Sequence, residues 1–226
     1  MDWGKEKNFY KDYPALKYKA YKDIGTYINE KKIKKILDFG CGDGKQLEFI
    51  DKKIVTDLYD INEEALKKAS KKLKNSKSSV FNITNDIKKN TYELVVFSLV
   101  LMCLSNEKEL NEIVKSFKGF LKKNGEVIVL ITHPAFRDKE FSYYETNVTS
   151  NFNYFNEGFP FKVSLKNVKH EIFFTDYHWT ISKTINLFIS KGFELLKMVE
   201  LQDTNTENDF YNKSFSPYMK LIFKKK

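Results

Sequence analysis

The apolar positions change period along the chain. Over residues 10–28, Leu16, Ala20, Ile24 and Tyr27 recur at helical spacing and predict an N-terminal helix or pair of helices. Ile33, Ile36, Leu37 and Phe39 then form a short β-compatible run stopped by glycines, a first strand. A helix is predicted from about Lys45, a strand over 54–60, and a helix over 63–73 with Ala65, Leu66, Ala69 and Leu73 on one face. Residues 79–83 read as a third strand, and 94–101, apolar on both faces, as a central parallel one. Asn106 opens a helix through Ile113, Val114, Phe117 and Leu121, and Asn124-Gly125 supplies a turn before a strand over 126–132.

After His133-Pro134 the pattern breaks. Residues 136–178 carry Phe136, Phe141, Tyr143, Tyr144, Phe161 and Tyr177 among polar residues with no clear period, and so aromatic a segment must pack on the sheet edge or on a ligand. Thr180 caps a helix through Ile181, Ile185, Leu187 and Phe188, closed by Lys191-Gly192. Residues 193–201 and 217–224 read as a terminal antiparallel pair. Strands alternating with helices of modest length predict a doubly wound α/β sheet. The expectation is one domain over residues 1–226, with a helical arm at 1–30 and an insertion at 136–178 that covers a substrate.

Composition changes this picture in few places. A formal charge of +9 invites a nucleic-acid reading, yet of 39 basic residues only Arg137 is arginine, the residue whose planar fork suits phosphate and guanine. The lysines are scattered along helices and turns, which reads as solvated faces and argues against a nucleic-acid partner. The two cysteines, Cys41 and Cys103, make no disulfide framework and fit a reducing cytoplasm. No apolar run is long enough to span a bilayer as a helix, and the amino terminus lacks the apolar core of a secretory signal. The three histidines show no ligand spacing, so no metal is expected.

The chemistry lies in Ile36-Leu37-Asp38-Phe39-Gly40-Cys41-Gly42-Asp43-Gly44, where glycines between strand and helix let the backbone approach a ligand closely. Position 45 is lysine, so the dinucleotide pattern G-x-G-x-x-G fails at its third glycine. Twenty residues after Gly40 comes Asp60, at the end of the second strand, where a carboxylate can accept both hydroxyls of a ribose. Asp57 is its rival. Cys41 reads as a small packing residue, since nothing beside it but the glycine loop would lower its pKa.

These segments, with Tyr59-Asp60-Ile61-Asn62-Glu63-Glu64-Ala65-Leu66, resemble the class I S-adenosylmethionine-dependent methyltransferases of small-molecule type. The resemblance implies a Rossmann-like α/β fold: a seven-stranded, mostly parallel sheet with a terminal antiparallel pair and helices on both faces. It implies S-adenosylmethionine as cofactor, with Asp38 and Gly40 beside the methionine part, Cys41 and Gly42 in the same loop, Asp60 on the ribose and Ile61 on the adenine. It extends to Asp86 and Ile87 near the adenine amino group, although Asp86 also reads as a cap, and to Ser98 on the methionine side. Trp3 and Tyr10 are similar to the aromatic pair of an arm that closes over the cofactor. The segments Thr132-His133-Pro134-Ala135-Phe136 and His178-Trp179-Thr180-Ile181-Ser182 complete the likeness.

Methyl transfer from a sulfonium consumes charge, so in-line positioning and exclusion of water are the main tools required. Phe136, Tyr143, Tyr144 and Trp179 are the expected contacts to an apolar or aromatic acceptor. His133 and His178 are candidate bases for a hydroxyl, or alternatively histidines that orient loops; His170, between Lys169 and Glu171, reads as surface. The expected reaction is methylation of an oxygen or nitrogen of a small molecule by a monomer or homodimer. Two alternatives remain: an RNA methyltransferase, and a protein that binds S-adenosylmethionine without converting it.

Overall fold

A computed structural model describes residues 19–141, 144–166, 172–202 and 215–226. The main sheet has seven strands: β1 (Lys35–Phe39), β2 (Val55–Tyr59), β3 (Val80–Phe81), β4 (Tyr92–Ser98), β5 (Leu121–Thr132), β9 (Phe193–Leu201) and β10 (Tyr218–Lys225). Their order is β3-β2-β1-β4-β5-β10-β9, with β10 antiparallel to both neighbours and the rest parallel. The chain leaves β1 in one direction and returns to β4 on its other side. That reversal opens a crevice at the carboxyl ends of β1 and β4, where ligands bind in open α/β sheets.

Both faces of the sheet are buried because alternate residues of each central strand serve opposite cores. Ile36, Leu94, Val96, Ile128 and Leu130 belong to the side shared with α1 (Lys22–Glu30) and α2 (Glu63–Ser70). Leu37, Val95, Phe97, Val127 and Val129 belong to the side of α3 (Glu107–Phe120) and α4 (Ile181–Ser190). Phe188 stacks on Phe223 with centroids 4.3 Å apart, joining α4 to the antiparallel edge. Side-chain caps start the helices where expected: Asn62 accepts from Ala65 N, Asn106 from Lys108 N and Thr180 from Lys183 N.

Three expectations are corrected. The helix predicted from Lys45 is only a short 3-10 turn, Lys45–Phe49, ending where Ile50 becomes extended. Helix α1 packs against this turn so closely that a methyl group on Gly25 would lie 2.5 Å from Phe49 Cβ, and Asn29 binds the Phe49 carbonyl and the Asp51 amide. The turn predicted at Asn124-Gly125 lies inside β5 as an irregularity, with Asn124 at φ +62 and the register jumping from Leu121 to Glu126. The aromatic segment that shows no period to the eye is a three-stranded antiparallel sheet of β6 (Tyr144–Asn147), β7 (Phe159–Leu165) and β8 (Ile172–His178). Aromatics stand on both of its faces, Phe161 buried and Phe173 exposed, which hides the period of two.

Candidate functional site

The crevice is built on the loop after β1. Gly40, Gly42 and Gly44 all have positive φ, at +80, +52 and +76, a backbone region where other residues are strained. The loop folds over β2: the amides of Gly40 and Cys41 both donate to the Tyr59 carbonyl, at 2.7 and 3.0 Å. Asp60 then ties the two strand ends together, Oδ2 accepting from Gly42 N at 2.7 Å and Oδ1 from Asn62 N at 2.8 Å. Burial raises the Asp60 carboxyl above its ordinary range, and these two backbone donors oppose the shift. A methyl group built on Gly42 would meet no atom within 4 Å, so this glycine faces open space.

Around that space several buried polar atoms have no partner. Asp38, 2% exposed at the end of β1, leaves Oδ2 without a hydrogen bond; burial first, and then the charge of Asp60, push its carboxyl up to about 7. Gln46 Oε1 is also unpartnered, and Ser98 Oγ has the Tyr21 hydroxyl near it, short of hydrogen-bond geometry. Tyr21 faces Asp38 and Asp43, and burial followed by those two carboxylates raises its phenol; its carbonyl accepts from Gln46 Nε2 at 2.9 Å. Leu99, directly after β4, has φ +57, a strained conformation of the kind that clusters at ligand sites. Burial pushes the Cys41 thiol well up, so it is a packing group rather than a nucleophile.

On the other flank Ile61 is 81% exposed beside Asp60, and Ile83 is exposed as well. Ile87 is buried, while Asp86 is exposed in the turn Thr84–Asp86 and its amide donates to the Ile83 carbonyl. The rival Asp57 is no ligand group. It is fully buried with Lys35 Nζ at 2.9 Å, the Tyr92 hydroxyl at 2.8 Å and Ser79 N at 2.8 Å, so its charge and lone pairs are used inside the fold.

The two candidate bases differ. His133 caps the turn Pro134–Phe136: Nδ1 accepts from Ala135 N at 3.2 Å, so Nε2 carries the proton and donates to Glu200 at 2.8 Å. Its ring stacks on Phe136, which also borders Phe215, and burial lowers its pKa against the pull of Glu200. That arrangement orients a loop and leaves no lone pair for a substrate proton. His178 donates from Nε2 to the Tyr154 carbonyl at 2.7 Å, which makes Nδ1 an acceptor, and Nδ1 is buried without a partner. Tyr144 donates to the Pro217 carbonyl at 2.8 Å and packs on Phe141, while Trp179 donates to the Leu104 carbonyl at 3.0 Å within the core. Both therefore pin the three-stranded sheet to the main domain. Trp3, Tyr10, Tyr143 and His170 lie outside the described residues.

Residues 37–127, the span from the glycine loop to β5, match the family described as methyltransferase domain. Over that span the chain is similar to methyltransferase domains. Its fold is that of solved methyltransferases. CcbJ from Streptomyces caelestis superposes with a TM-score of 0.69 at 13% identity, over 96% of this chain and 98% of that one. The N-methyltransferase NodS from Bradyrhizobium japonicum WM9 gives 0.62 at 11% identity, over 95% and 98%. CalS10 from Micromonospora echinaspora, an amino pentose methyltransferase involved in calicheamicin biosynthesis, gives 0.62 at 13%, over 99% and 94%. No curated protein sequence matches this chain.

The crevice fits the cofactor of such an enzyme. The unpartnered Asp38, Ser98 and Gln46 atoms suit an amino acid moiety, and the open face of Gly42, the Asp60 carboxylate and exposed Ile61 suit an adenosine. Among the described residues no cluster of His, Cys, Asp or Glu is arranged to hold a metal ion, and no helix is long and apolar enough to cross a membrane. The sequence does not mark Tyr21 or Gln46 as lining this crevice, nor show that Arg137 and Asp176 are buried. Only Arg137 carried a signal, as the one arginine of the chain, and Asp176 stood in an alternating run of aromatics that went unread.

Proposed function

We propose that the enzyme methylates a nitrogen or oxygen of a small molecule seated between the glycine loop and the sheet β6–β8. The observation that carries this reading is the loop itself: three left-handed glycines locked by Asp60, with open space at Gly42 and unpartnered polar atoms around it. When bound, S-adenosylmethionine supplies an electrophilic methyl group on a sulfonium. Asp38, Ser98, Gln46 and Tyr21 hold the amino acid end in this reading. Gly40, Cys41 and Gly42 line the approach, and Asp60 accepts from the ribose through the lone pairs that its two backbone donors leave free. Ile61 and Ile87 pack on the base, with Asp86 near its amino group, and Tyr10 belongs to the arm that closes over the cleft.

On the acceptor side Phe136 and Tyr143 offer apolar contact, Tyr144 and Trp179 hold the sheet in place, and His178 contributes the acceptor nitrogen Nδ1. Water exclusion by this layer and in-line positioning lower the barrier. A small acceptor is supported by the buried, aromatic cover and by two structural neighbours named for an N-methyltransferase and an amino pentose activity. The scattered lysines support it against an RNA substrate.

Calorimetric titration with S-adenosylmethionine and S-adenosylhomocysteine, followed by a labelled-methyl screen over amines, phenols and carboxylic acids, tests the reading. Binding of both molecules and one labelled product class are expected; binding without conversion in any pool would leave a non-catalytic protein. Asp60→Ala is expected to weaken cofactor binding by about 1–3 kcal/mol through lost charged hydrogen bonds, and unchanged affinity would remove Asp60 from the site.

A further inference from the structure

Sheet β6–β8 buries a polar cluster that cofactor binding leaves without a task. On β8, Phe174, Asp176 and His178 share one face, paired across the sheet with Val163, Phe161 and Phe159 of β7. Asp176 is 2% exposed among these apolar neighbours, and its Oδ1 has no hydrogen bond. Arg137 is buried beside it. Two of its nitrogens are spent on the Thr132 hydroxyl and carbonyl, its guanidinium lies 4.5 Å over the Phe161 ring, and Nε has no partner. His178 Nδ1 is the third unpartnered atom of the cluster. A buried carboxylate oxygen left without a hydrogen bond is costly and calls for a donor.

The cluster stands at the lip of the crevice. Strand β8 packs on the turn Leu101–Cys103 that follows β4, and Cys103 Sγ donates to the Leu99 carbonyl at 3.4 Å. After burial, the Asp176 carboxylate raises the Cys103 thiol most, with Asp60 next. An anionic acceptor is a poor match, because it would meet the unpaired Asp176 oxygen as a like charge. A group that brings N–H donors to an unpaired carboxylate oxygen matches well.

Resting on the reading of the chain as a small-molecule methyltransferase, we propose that its acceptor is an amine, held as an ammonium by Asp176 and deprotonated by that carboxylate. The N–H bond breaks and an O–H bond forms on Asp176. The freed nitrogen lone pair then forms the bond to the methyl carbon while the carbon–sulfur bond breaks, its electrons staying on sulfur, and the methylated ammonium leaves. Burial pushes the Asp176 carboxyl up to about 7 against the opposing Arg137 charge, so near and above neutral pH it can take a proton, and an ammonium, unlike a neutral alcohol or phenol, also brings a positive charge to the buried carboxylate. Arg137, His178 and Cys103 are the other ionisable groups around it.

The test uses the full chain with labelled-methyl S-adenosylmethionine and separate pools of small primary and secondary amines, phenols and carboxylic acids. Label is expected in the amine pool. With the best amine of that pool, Asp176→Asn is expected to lower kcat/KM by about 100-fold or more, with Asp176→Glu recovering part of it and the affinity for S-adenosylhomocysteine unchanged in both. The wild-type kcat/KM should rise with pH through about 7, a limb that Asp176→Asn should lose and Asp176→Glu should shift; the Asp176→Glu profile carries this readout if Asp176→Asn does not fold. Label confined to phenols or carboxylates, or an Asp176→Asn enzyme that methylates amines at the wild-type rate, would overturn the proposal while methyl transfer stands. Failure of the wild type to bind S-adenosylhomocysteine would instead overturn the broader reading.

Discussion

Two aspartates on adjacent strands show how partners decide a role. Asp38 and Asp57 are both buried, on neighbouring strands, but Asp57 has a lysine, a phenol and an amide around it, whereas Asp38 keeps an oxygen unpaired. Asp57 contributes to the fold, and Asp38 detracts from it. Because the folded pKa of Asp38, about 7, lies above its ordinary 3.8, the folded state binds the proton more tightly. The stability this confers is present below about pH 4 and is lost as pH rises through about 7. Asp38→Asn should therefore raise the melting temperature at about pH 8 by a few degrees, show little gain at about pH 4, and weaken S-adenosylhomocysteine binding. Thermal melts at both pH values with calorimetry check this; an equal shift at both would mean that Asp38 is not held protonated. The same scale limited what the chain could reveal in advance. Spacing and residue type marked Asp60 as the better of two acids, but only contacts separate it from Asp57, and nothing local shows that Arg137 is buried beside Asp176.

At the scale of elements the glycine loop separates geometry from ligand access. Gly40 needs its positive φ and also lacks room, since a methyl group there would lie 2.3 Å from Val100 Cγ2. Gly42 needs the φ but faces open space. Gly40→Ala should thus lose at least about 2 kcal/mol of stability in denaturant unfolding. Gly42→Ala should lose only about 1 kcal/mol, yet bind S-adenosylhomocysteine more weakly because its methyl group enters the ligand's space. Equal stability and equal binding losses in the two variants would contradict this division. Strand and helix caps were legible because period and cap chemistry are local properties. The segment after Gly44 was not, because what ends it is α1 pressing Gly25 onto Phe49 from more than twenty residues away in sequence. The sheet β6–β8 was hidden for a related reason: with aromatics on both faces its alternation carries no polarity contrast.

At the scale of the molecule, the reversal between β1 and β4 gathers the glycine loop, Asp60, the end of β4 and the lid at one edge of the sheet. The surplus positive charge is spread elsewhere over helices and turns, with lysines drawn into local pairs such as Lys31 with Glu126 and Lys72 with Asp43. Exposed pairs of this kind add little to stability. Filter binding to bulk tRNA at physiological salt is accordingly expected to show no affinity that falls steeply with salt; a steep slope would return the RNA reading to the front.

Sequence by itself determined the order of strands and helices, the glycine loop and the acid after β2, since each depends on periodicity, cap chemistry or a backbone angle that neighbouring residues dictate. Which acid is left unpaired, which histidine keeps a lone pair, and where the single arginine comes to rest were decided only by tertiary structure. Those properties belong to contacts between distant segments, and burial without a partner has no signature in the residues on either side.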